Sequence, residues 1–181
     1  MRNKVELLSR TPVFSGKIFE VVRDSVRLPN DKVVERAVVR HPGAVIVLPK
    51  LGSGILLLIE QYRHAVGTSL LEFPAGTLEP NETPLVCAKR EIIEETGYQA
   101  ASWTELGVFY PAPGFCSELQ HGYLATELSL AQAVADEDEI IEVCQMSIDE
   151  VENAIRTGQL NDTKSIALFT RAKLIGLLSE E

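Results

Sequence analysis

Short apolar runs recur along the first half of the chain, and each has the length of a strand rather than that of a helix. The turn residues Pro29-Asn30-Asp31 separate two such runs and predict an N-terminal hairpin. A second hairpin is predicted around Gly52-Ser53, because apolar and β-branched residues flank that pair. The predicted strands are Lys17–Leu28, Lys32–Arg40, Ala44–Leu48, Gly54–Gln61, Ser69–Phe73, Glu105–Tyr110, Gly122–Glu127 and Ile141–Met146.

Three later segments change to a helical pattern and carry residues that suit helix ends. Thr83 is a candidate N-cap, Pro84 suits the first helical position, and Gly97 suits the stop of the first helix. Ser147 and Glu150 predict a capping box for the second helix. The predicted helices span residues 83–96, 147–157 and about 163–178. Strands come first and helices close the chain, which predicts a mixed α/β fold with helices packed on a sheet.

Composition places the chain among ordinary globular proteins. It has 181 residues, of which 45% are hydrophobic and 24% are charged, and this is enough to bury a core. No apolar run approaches the roughly 18 residues that span a bilayer, and the N-terminus lacks the apolar core of a secretory signal. We therefore expect a cytoplasmic protein without membrane contact. Cys87, Cys116 and Cys144 form no C-x-x-C pair, which argues against a disulfide framework and a zinc site.

The formal net charge of −9 restricts the partners that the chain can bind. No basic stripe is visible, so nucleic-acid binding is not expected. The negative charge also opposes an anionic substrate. A substrate with phosphates would need local compensation, for which bound divalent cations are the natural source.

The last turns of the first predicted helix carry more acid than helix stability favours. Glu91, Glu94 and Glu95 lie near a helix C-terminus, where each acid costs roughly 0.3–1 kcal/mol. Glu91 and Glu95 are like charges at i,i+4, and Arg90 precedes Glu94 in the weaker orientation for an ion pair. A solvated acidic face is one interpretation. The other is a cation site, because carboxylate oxygens on one helix face suit Mg²⁺ or Mn²⁺ and phosphoryl chemistry.

The segment from Gly76 to Tyr98 resembles the Nudix box, and its matching positions are Gly76, Glu82, Arg90, Glu91, Ile92, Glu94, Glu95 and Gly97. Tyr98 departs from the pattern, which has an aliphatic residue there, and this difference concerns packing rather than chemistry. The resemblance implies a metal-dependent pyrophosphohydrolase. It also implies an α/β fold, namely a Nudix-like α/β/α sandwich with a mixed sheet, beside an N-terminal antiparallel β-hairpin region.

The family implies roles for the matched residues. The implied ligands of Mg²⁺, with Mn²⁺ as the alternative, are the Ala75 backbone carbonyl, Glu91, Glu95 and Glu94. Glu94 alternatively acts through a bridging water, and Glu82 contributes a further carboxylate directly or through water. Arg90 positions the glutamates by hydrogen bonding, which suits its guanidinium. We count Glu82, Arg90 and Glu94 among the candidate catalytic residues.

Three further segments resemble the ADP-ribose pyrophosphatase branch of this family: Glu60–Arg63, Leu71–Gly76 and Tyr110–Phe115. Pro113 follows Gly97 by 16 residues and fits a proline that the branch carries. The branch implies hydrolysis of ADP-ribose to AMP and ribose 5-phosphate, with FAD, NADH, GDP-mannose and other sugar nucleotides as alternatives. It also implies a homodimer. An N-terminal β region over residues 1–42 would dimerise and complete the substrate site of a Nudix hydrolase domain over residues 43–181.

The branch also implies contacts to the substrate. Arg63 would bind the diphosphate or the neighbouring ribose, because a guanidinium makes bidentate contacts to phosphate oxygens. Glu118 would hold the distal ribose hydroxyls. Arg36 or Arg40 would contact the adenosine, and spacing does not choose between them. Glu72 is either a carboxylate near the metals or a packed acid at a strand end.

The general base implied by the branch lies in an acidic segment before a late strand. The pattern fits Glu139 best, with Glu137 as the alternative. Three other function classes stay open: a nucleotide-sensing module without catalysis, an isoprenoid diphosphate isomerase, and a scaffold or interaction protein. The box is intact, which disfavours the first. Neither Cys87 nor Cys116 has the motif context that the second needs.

Overall fold

The computed structural model describes residues 4–52, 54–131 and 141–178, which form two compact units. The N-terminal unit contains the chain up to Gly43 together with Tyr110–Leu119. The larger unit contains Ala44–Phe109 and the chain from Gln120 onward. The described helices are all too short or too polar to cross a membrane.

The N-terminal unit is built on an antiparallel sheet of three strands, β1 (Glu6–Ser15), β2 (Glu20–Arg27) and β3 (Val33–Arg40), in the order β1-β2-β3. The predicted hairpin is confirmed by the pairing of β2 with β3, and Asp31 turns the chain with a φ of 61°. Sequence analysis missed β1. All ten of its residues are exposed, so it shows no alternation of buried and polar positions.

Residues 115–117 pair with β3 at a single bridge between Cys116 and Val39. The Val39 N–H donates to the Phe115 carbonyl at 2.8 Å, and the Ser117 N–H donates to the Val39 carbonyl at 2.9 Å. The Ser117 hydroxyl accepts from the His41 N–H at 3.1 Å. The unit therefore joins a segment from each side of the boundary that we predicted at residue 42.

The larger unit contains two sheets, whose strands are β4 (Ala44–Pro49), β5 (Leu56–Arg63), β6 (Thr68–Glu72), β7 (Ala75–Thr77), β8 (Tyr98–Phe109), β9 (Gln120–Leu130) and β10 (Ile141–Met146). One sheet has the order β7-β4-β9-β8 and is mixed, because β4 runs parallel to β9 and antiparallel to β7. The other has the order β10-β5-β6 and is antiparallel.

The predicted second hairpin, around Gly52-Ser53, is wrong. β4 and β5 lie in different sheets, and the described residues link them at one bridge, Lys50 with Leu56. All six residues of β4 and the first four of β5 are buried. Strands that are buried on both faces read as continuous apolar runs, and such runs do not reveal which strands pair.

Three helices complete the larger unit: α1 (Pro84–Thr96), α2 (Ile148–Thr157) and α3 (Thr163–Leu174). Thr83 occupies the N-cap position of α1 without a side-chain capping bond, and Gly97 ends the helix in the left-handed region with a φ of 73°. The predicted capping box of Ser147 and Glu150 is confirmed. α3 stops at Leu174, short of the predicted end.

The two hydrophobic cores lie on opposite faces of β4. Ile46 and Leu48 belong to a core that contains residues of α2 and α3, whereas Val45 and Val47 belong to a core with Ile92 of α1. Alternate residues of a strand point to opposite faces, so helices cover the mixed sheet on both sides. The predicted α/β/α sandwich is confirmed, and it fixes α1 against β4 and β7.

Candidate active site

The acid cluster consists of Glu82, Arg90, Glu91, Glu94 and Glu95. Glu91 and Glu95 are one helical turn apart and only 8% and 7% exposed, so they are not part of a solvated acidic face. Glu94 is more accessible, with 37% of its side chain exposed. Buried carboxylates are costly without compensation, and this makes the last turns of α1 a candidate functional site.

Because Gly76 has no side chain, the Glu91 carboxylate can lie directly against the backbone of β7. A Cβ built on Gly76 would lie 1.7 Å from Glu91 Oε1, a distance that no side chain at position 76 can satisfy without moving the carboxylate. The preceding strand residue binds the other acid, since the Ala75 N–H donates to Glu95 Oε2 at 2.9 Å. Pairing of Ala75 with Ile46 holds β7 against the core strand β4. The sequence did not predict this short strand. Its residues Ala75 and Gly76 supply the backbone groups that contact Glu95 and Glu91.

Arg90 ties the acids together. Its Nε and Nη2 donate to the two oxygens of Glu82 at 3.0 Å each. Its Nη1 donates to Glu91 Oε1 at 2.7 Å and to Glu94 Oε2 at 2.9 Å. The guanidinium therefore orients three carboxylates at once, despite the weaker i,i+4 orientation of the pair with Glu94.

Glu82 is held by more than Arg90. The Glu79 N–H also donates to Glu82 Oε2, at 3.1 Å. Hydrogen bonds from Arg90 outweigh partial burial and lower the pKa of Glu82 to about 2. The hydrogen bonds from Arg90 therefore favour the anionic form of Glu82.

The acid cluster fits a divalent cation by its chemistry, although it is not arranged as a finished metal site. Four carboxylates accompany one guanidinium, which leaves a surplus of negative charge. No three acidic, histidine or cysteine side chains within the described ranges converge on a common point for an ion. Three of the four carboxylates turn an oxygen towards Arg90 instead. Oxygen donors such as carboxylates and backbone carbonyls are the ligands that Mg²⁺ and Mn²⁺ prefer.

A second set of charges, the Glu72 network, consists of Arg63, Glu72, Asp162 and Lys164. Glu72 ends β6 and is 1% exposed. Arg63 Nε and Nη2 donate to its two oxygens at 2.9 and 2.6 Å, and Lys164 also bonds to it. Burial raises the pKa of Glu72, but the bonds from Arg63 and Lys164 outweigh it, so the pKa lies below its ordinary value.

Arg63 interacts with both groups of charges: it is hydrogen-bonded to Glu72 and is attracted electrostatically by Glu95 of the acid cluster. The hydrogen bond with Glu72 raises the pKa of Arg63, and the negative charge of Glu95 adds to this effect. The family resemblance implied a substrate contact for Arg63. Here the pair with Glu72 is formed, the carboxylate partner is buried, and the arginine side chain is 35% exposed.

Lys164 was missed in the sequence analysis. It lies in the first turn of α3, with 13% of its side chain exposed, and it contacts Asp162 at 3.0 Å as well as Glu72. A lysine at a helix N-terminus opposes the helix dipole. This unfavourable position could have identified Lys164 as a candidate from the sequence, in the same way as the acids at the C-terminus of α1 were identified.

The remaining predicted residues lie in the N-terminal unit or outside the described ranges. Arg36 is exposed and donates to the neighbouring carbonyl of Glu35 at 3.0 Å. Arg40 lines an open hollow of about 340 Å³ together with Phe19. Glu118 is half-buried. The candidate bases Glu139 and Glu137 fall in residues 132–140, outside the described residues.

Cys87 lies in the core beside the acid cluster and offers no nucleophile. It is fully buried, and its thiol faces the carbonyl oxygens of Gly76 and Thr77. Burial, helped by the nearby charge of Glu91, raises the pKa of Cys87 to about 12. The thiol is neutral and packed, which disfavours a cysteine-dependent reaction at this site.

The sandwich and its acid cluster define an enzyme class that acts on phosphate esters or anhydrides with the help of a divalent cation. Residues 39–169 match the family model of the NUDIX domain, and the chain belongs to the Nudix family. It is a Nudix hydrolase, and members of this family generally need a divalent metal ion.

Two relatives and one solved structure resemble the chain over most of its length. The chain is 37% identical over 160 residues to the ADP-ribose pyrophosphatase of Bacillus subtilis (strain 168), covering 87% of this chain and 86% of that protein. It is 38% identical over 156 residues to the methanol dehydrogenase activator of Bacillus methanolicus, covering 85% and 84%. The crystal structure of an ADP compounds hydrolase has a TM-score of 0.80 at 22% identity, covering 94% and 92%, and shares the fold.

Proposed function

We propose that the chain hydrolyses ADP-ribose to AMP and ribose 5-phosphate with Mg²⁺ as its metal ion. One observation carries the proposal: two nearly buried carboxylates, Glu91 and Glu95, lie stacked against the Ala75-Gly76 backbone in a cluster with surplus negative charge. Such a cluster is costly alone and becomes favourable with a cation. The similarity to the ADP-ribose pyrophosphatase of Bacillus subtilis supports the choice of substrate.

The residues that would hold the ion are the Ala75 carbonyl, Glu91 and Glu95, with Glu94 and Glu82 contributing further carboxylates. When bound, a divalent cation neutralises charge on the diphosphate and makes water more acidic. Arg90 positions Glu82, Glu91 and Glu94 through the hydrogen bonds described above. Mg²⁺ is proposed because every donor is a hard oxygen.

In this proposal Arg63 binds the diphosphate. Glu72 occupies its Nε and Nη2, whereas its Nη1 makes no hydrogen bond within the part of the chain that the structure describes. A guanidinium that is pinned on one side retains donors for phosphate oxygens on the other. Glu118 would hold the distal ribose, and Arg40 is a better candidate than Arg36 for the adenosine because it lines the hollow beside Phe19.

The chemical step is the transfer of a phosphoryl group to water. The water oxygen forms a bond to one phosphorus atom, the bridging phosphorus–oxygen bond breaks, and the two products are AMP and ribose 5-phosphate. Glu139 is proposed to accept the proton of the attacking water, with Glu137 as the alternative.

We also propose a cytoplasmic homodimer in which the N-terminal strands complete the substrate site. The exposed apolar side chains of β1 support an interface there: Leu7, Val13 and Phe14 are 51%, 64% and 54% exposed. Exposed apolar residues on a strand favour association with another chain. Sedimentation velocity with the variant Val13→Lys tests this, and an unchanged dimer would argue against β1 as the interface.

A substrate panel tests the proposed function. The pure protein is incubated with Mg²⁺ and, separately, ADP-ribose, FAD, NADH, GDP-mannose and a nucleoside triphosphate, and the products are resolved by chromatography. Glu95→Gln is the blank. Release of AMP from ADP-ribose as the fastest reaction, absent in the variant, supports the proposal. Faster cleavage of another compound contradicts the substrate, and no cleavage with Mg²⁺ or Mn²⁺ contradicts the reaction.

A further inference from the structure

We propose that Lys164 is a positioning residue for substrate binding, because it neutralises Glu72 and thereby leaves the charge of Arg63 available to the diphosphate. The inference rests on the proposed function, in which Arg63 binds that diphosphate. It concerns a residue outside the segment that resembles the Nudix box.

The positive and negative charges of the Glu72 network cancel only because Lys164 is present. Arg63 and Glu72 alone would be a closed ion pair, with Glu72 only 1% exposed and Arg63 bonded to both of its oxygens. Asp162, which ends the loop before α3, adds a second negative charge. Lys164 contacts both acids, so the network of two acids and two bases is neutral.

Lys164 occupies a position that is unfavourable for a lysine, the first turn of α3. A lysine in the first turn of a helix opposes the helix dipole, and the side chain of Lys164 is only 13% exposed. Burying an ion pair seldom stabilises a fold more than apolar packing would. The helix dipole does not favour a lysine at this position, whereas the buried carboxylate of Glu72 requires a positive charge beside it.

The Glu72 network lies next to the acid cluster, because hydrogen bonds link the start of α3 to the residues between β6 and β7. Glu72 ends β6, and the next residue, Phe73, donates its N–H to Ser165 Oγ at 2.8 Å. Ser165 Oγ in turn bonds to Asp162 Oδ2 at 2.6 Å. The Pro74 carbonyl accepts from the Val47 N–H at 2.8 Å. The first turn of α3 thus holds the strand end that leads into Ala75.

The charge of the Glu72 network affects how strongly Arg63 attracts an anionic substrate. The charge of Glu95 already acts on Arg63, and the whole chain carries a net charge of −9. Without Lys164, the network would have a net negative charge beside an acid-rich site, and the attraction of Arg63 for a diphosphate would fall. Loss of Lys164 should therefore weaken substrate binding while the hydrolytic step continues.

The experiment compares steady-state constants for ADP-ribose in wild type, Lys164→Met, Lys164→Arg and Lys173→Met. Lys173 is the matched control, because it lies on the same helix and pairs with Glu152 away from the network. We expect Lys164→Met to raise KM about tenfold, with kcat within about twofold of wild type. Lys164→Arg should restore most of the affinity, and Lys173→Met should match wild type.

A double variant separates positioning from general damage to the fold. If Lys164 acts through Arg63, then Lys164→Met should add little to the KM of Arg63→Met. An equal rise of KM in both backgrounds, or an unchanged KM in Lys164→Met, would overturn the inference. Lys164→Gln, which keeps a donor without the charge, carries the same test if Lys164→Met does not fold.

The test also separates this inference from the proposed function. A wild-type protein that cleaves another nucleoside diphosphate contradicts the substrate alone, and the same variants are then compared with that compound. If the wild type cleaves none, calorimetric binding of ADP-ribose to wild type and Lys164→Met replaces the kinetic constants. Equal binding by the two proteins, or no binding by either, would overturn the role of Lys164.

Discussion

The acid cluster and the Glu72 network both place buried carboxylates against an arginine, but their charges balance differently. In the acid cluster, Arg90 accompanies four glutamates, and a surplus of negative charge remains. In the Glu72 network, two acids face Arg63 and Lys164, and the charges cancel. The first arrangement is suited to acquire a cation, whereas the second needs none. Removing the Glu95 carboxylate and removing the Glu72 carboxylate should therefore have opposite consequences for stability.

The largest expected effect comes from Glu95→Gln in the acid cluster. We expect activity to fall about a thousandfold, because a ligand of the proposed cation is lost. The melting temperature without metal should stay the same or rise, because one like charge is removed from the helix terminus. Activity assays and thermal unfolding in the presence of a chelator check both parts. A large loss of stability would contradict the charge surplus.

Glu72→Gln is the corresponding change in the neutral network. It leaves Arg63 and Lys164 without their buried partner, and we expect a loss of about 3 kcal/mol in the free energy of unfolding. Urea denaturation measures this loss. Glu152→Gln is the control, because Glu152 pairs with Lys173 at a more exposed site, and its effect should stay below about 1 kcal/mol. Equal effects of the two substitutions would argue against a special role for Glu72.

Gly76→Ala tests how closely the acid cluster depends on backbone packing. The added Cβ would collide with the Glu91 carboxylate, which can move because it is the end of a flexible side chain. We expect about a hundredfold loss of activity with little change in melting temperature. Gly52→Ala is the control, since a Cβ at position 52 meets nothing within 4 Å. Full activity of Gly76→Ala would show that the position of Glu91 is unimportant.

The smallest expected effect is a pH dependence of stability that arises from Glu82. Its pKa is lowered from 4.5 to about 2, so the folded state binds this proton less readily than the unfolded state. Its contribution to stability is complete above pH 4.5 and is lost as the pH falls towards 2. Melting curves of wild type and Glu82→Gln should therefore converge over that range. A difference that does not vary with pH would exclude Arg90 as the cause.

The grouping of the acids on α1 was easier to predict from sequence than the pairing of the strands. Acids at the end of α1 oppose the helix dipole, and this local conflict identified Glu91 and Glu95 before their burial was known. The strand β7 has only three residues and no periodicity, so the Ala75-Gly76 backbone was assigned through the family resemblance. The supposed hairpin of β4 and β5 failed because continuous apolar runs do not specify partners.

The Glu72 network shows what sequence reasoning lacks at longer range. Glu72 and Lys164 are separated by 92 positions, and neither local pattern nor spacing connects them. Only the packing of α3 against the end of β6 makes the lysine a partner of this acid. Its unfavourable place at a helix N-terminus was the one local indication, and that indication does not name the partner.

Calorimetric titration of Mn²⁺ or Mg²⁺ into the metal-free protein tests the central claim most directly, namely that the acid cluster is a cation site. We predict binding to wild type, binding weakened at least about tenfold in Glu95→Gln, and unchanged binding in Lys173→Met. The heat should be accompanied by a rise in melting temperature that is lost in Glu95→Gln. Equal affinity of wild type and Glu95→Gln for the ion would contradict the claim.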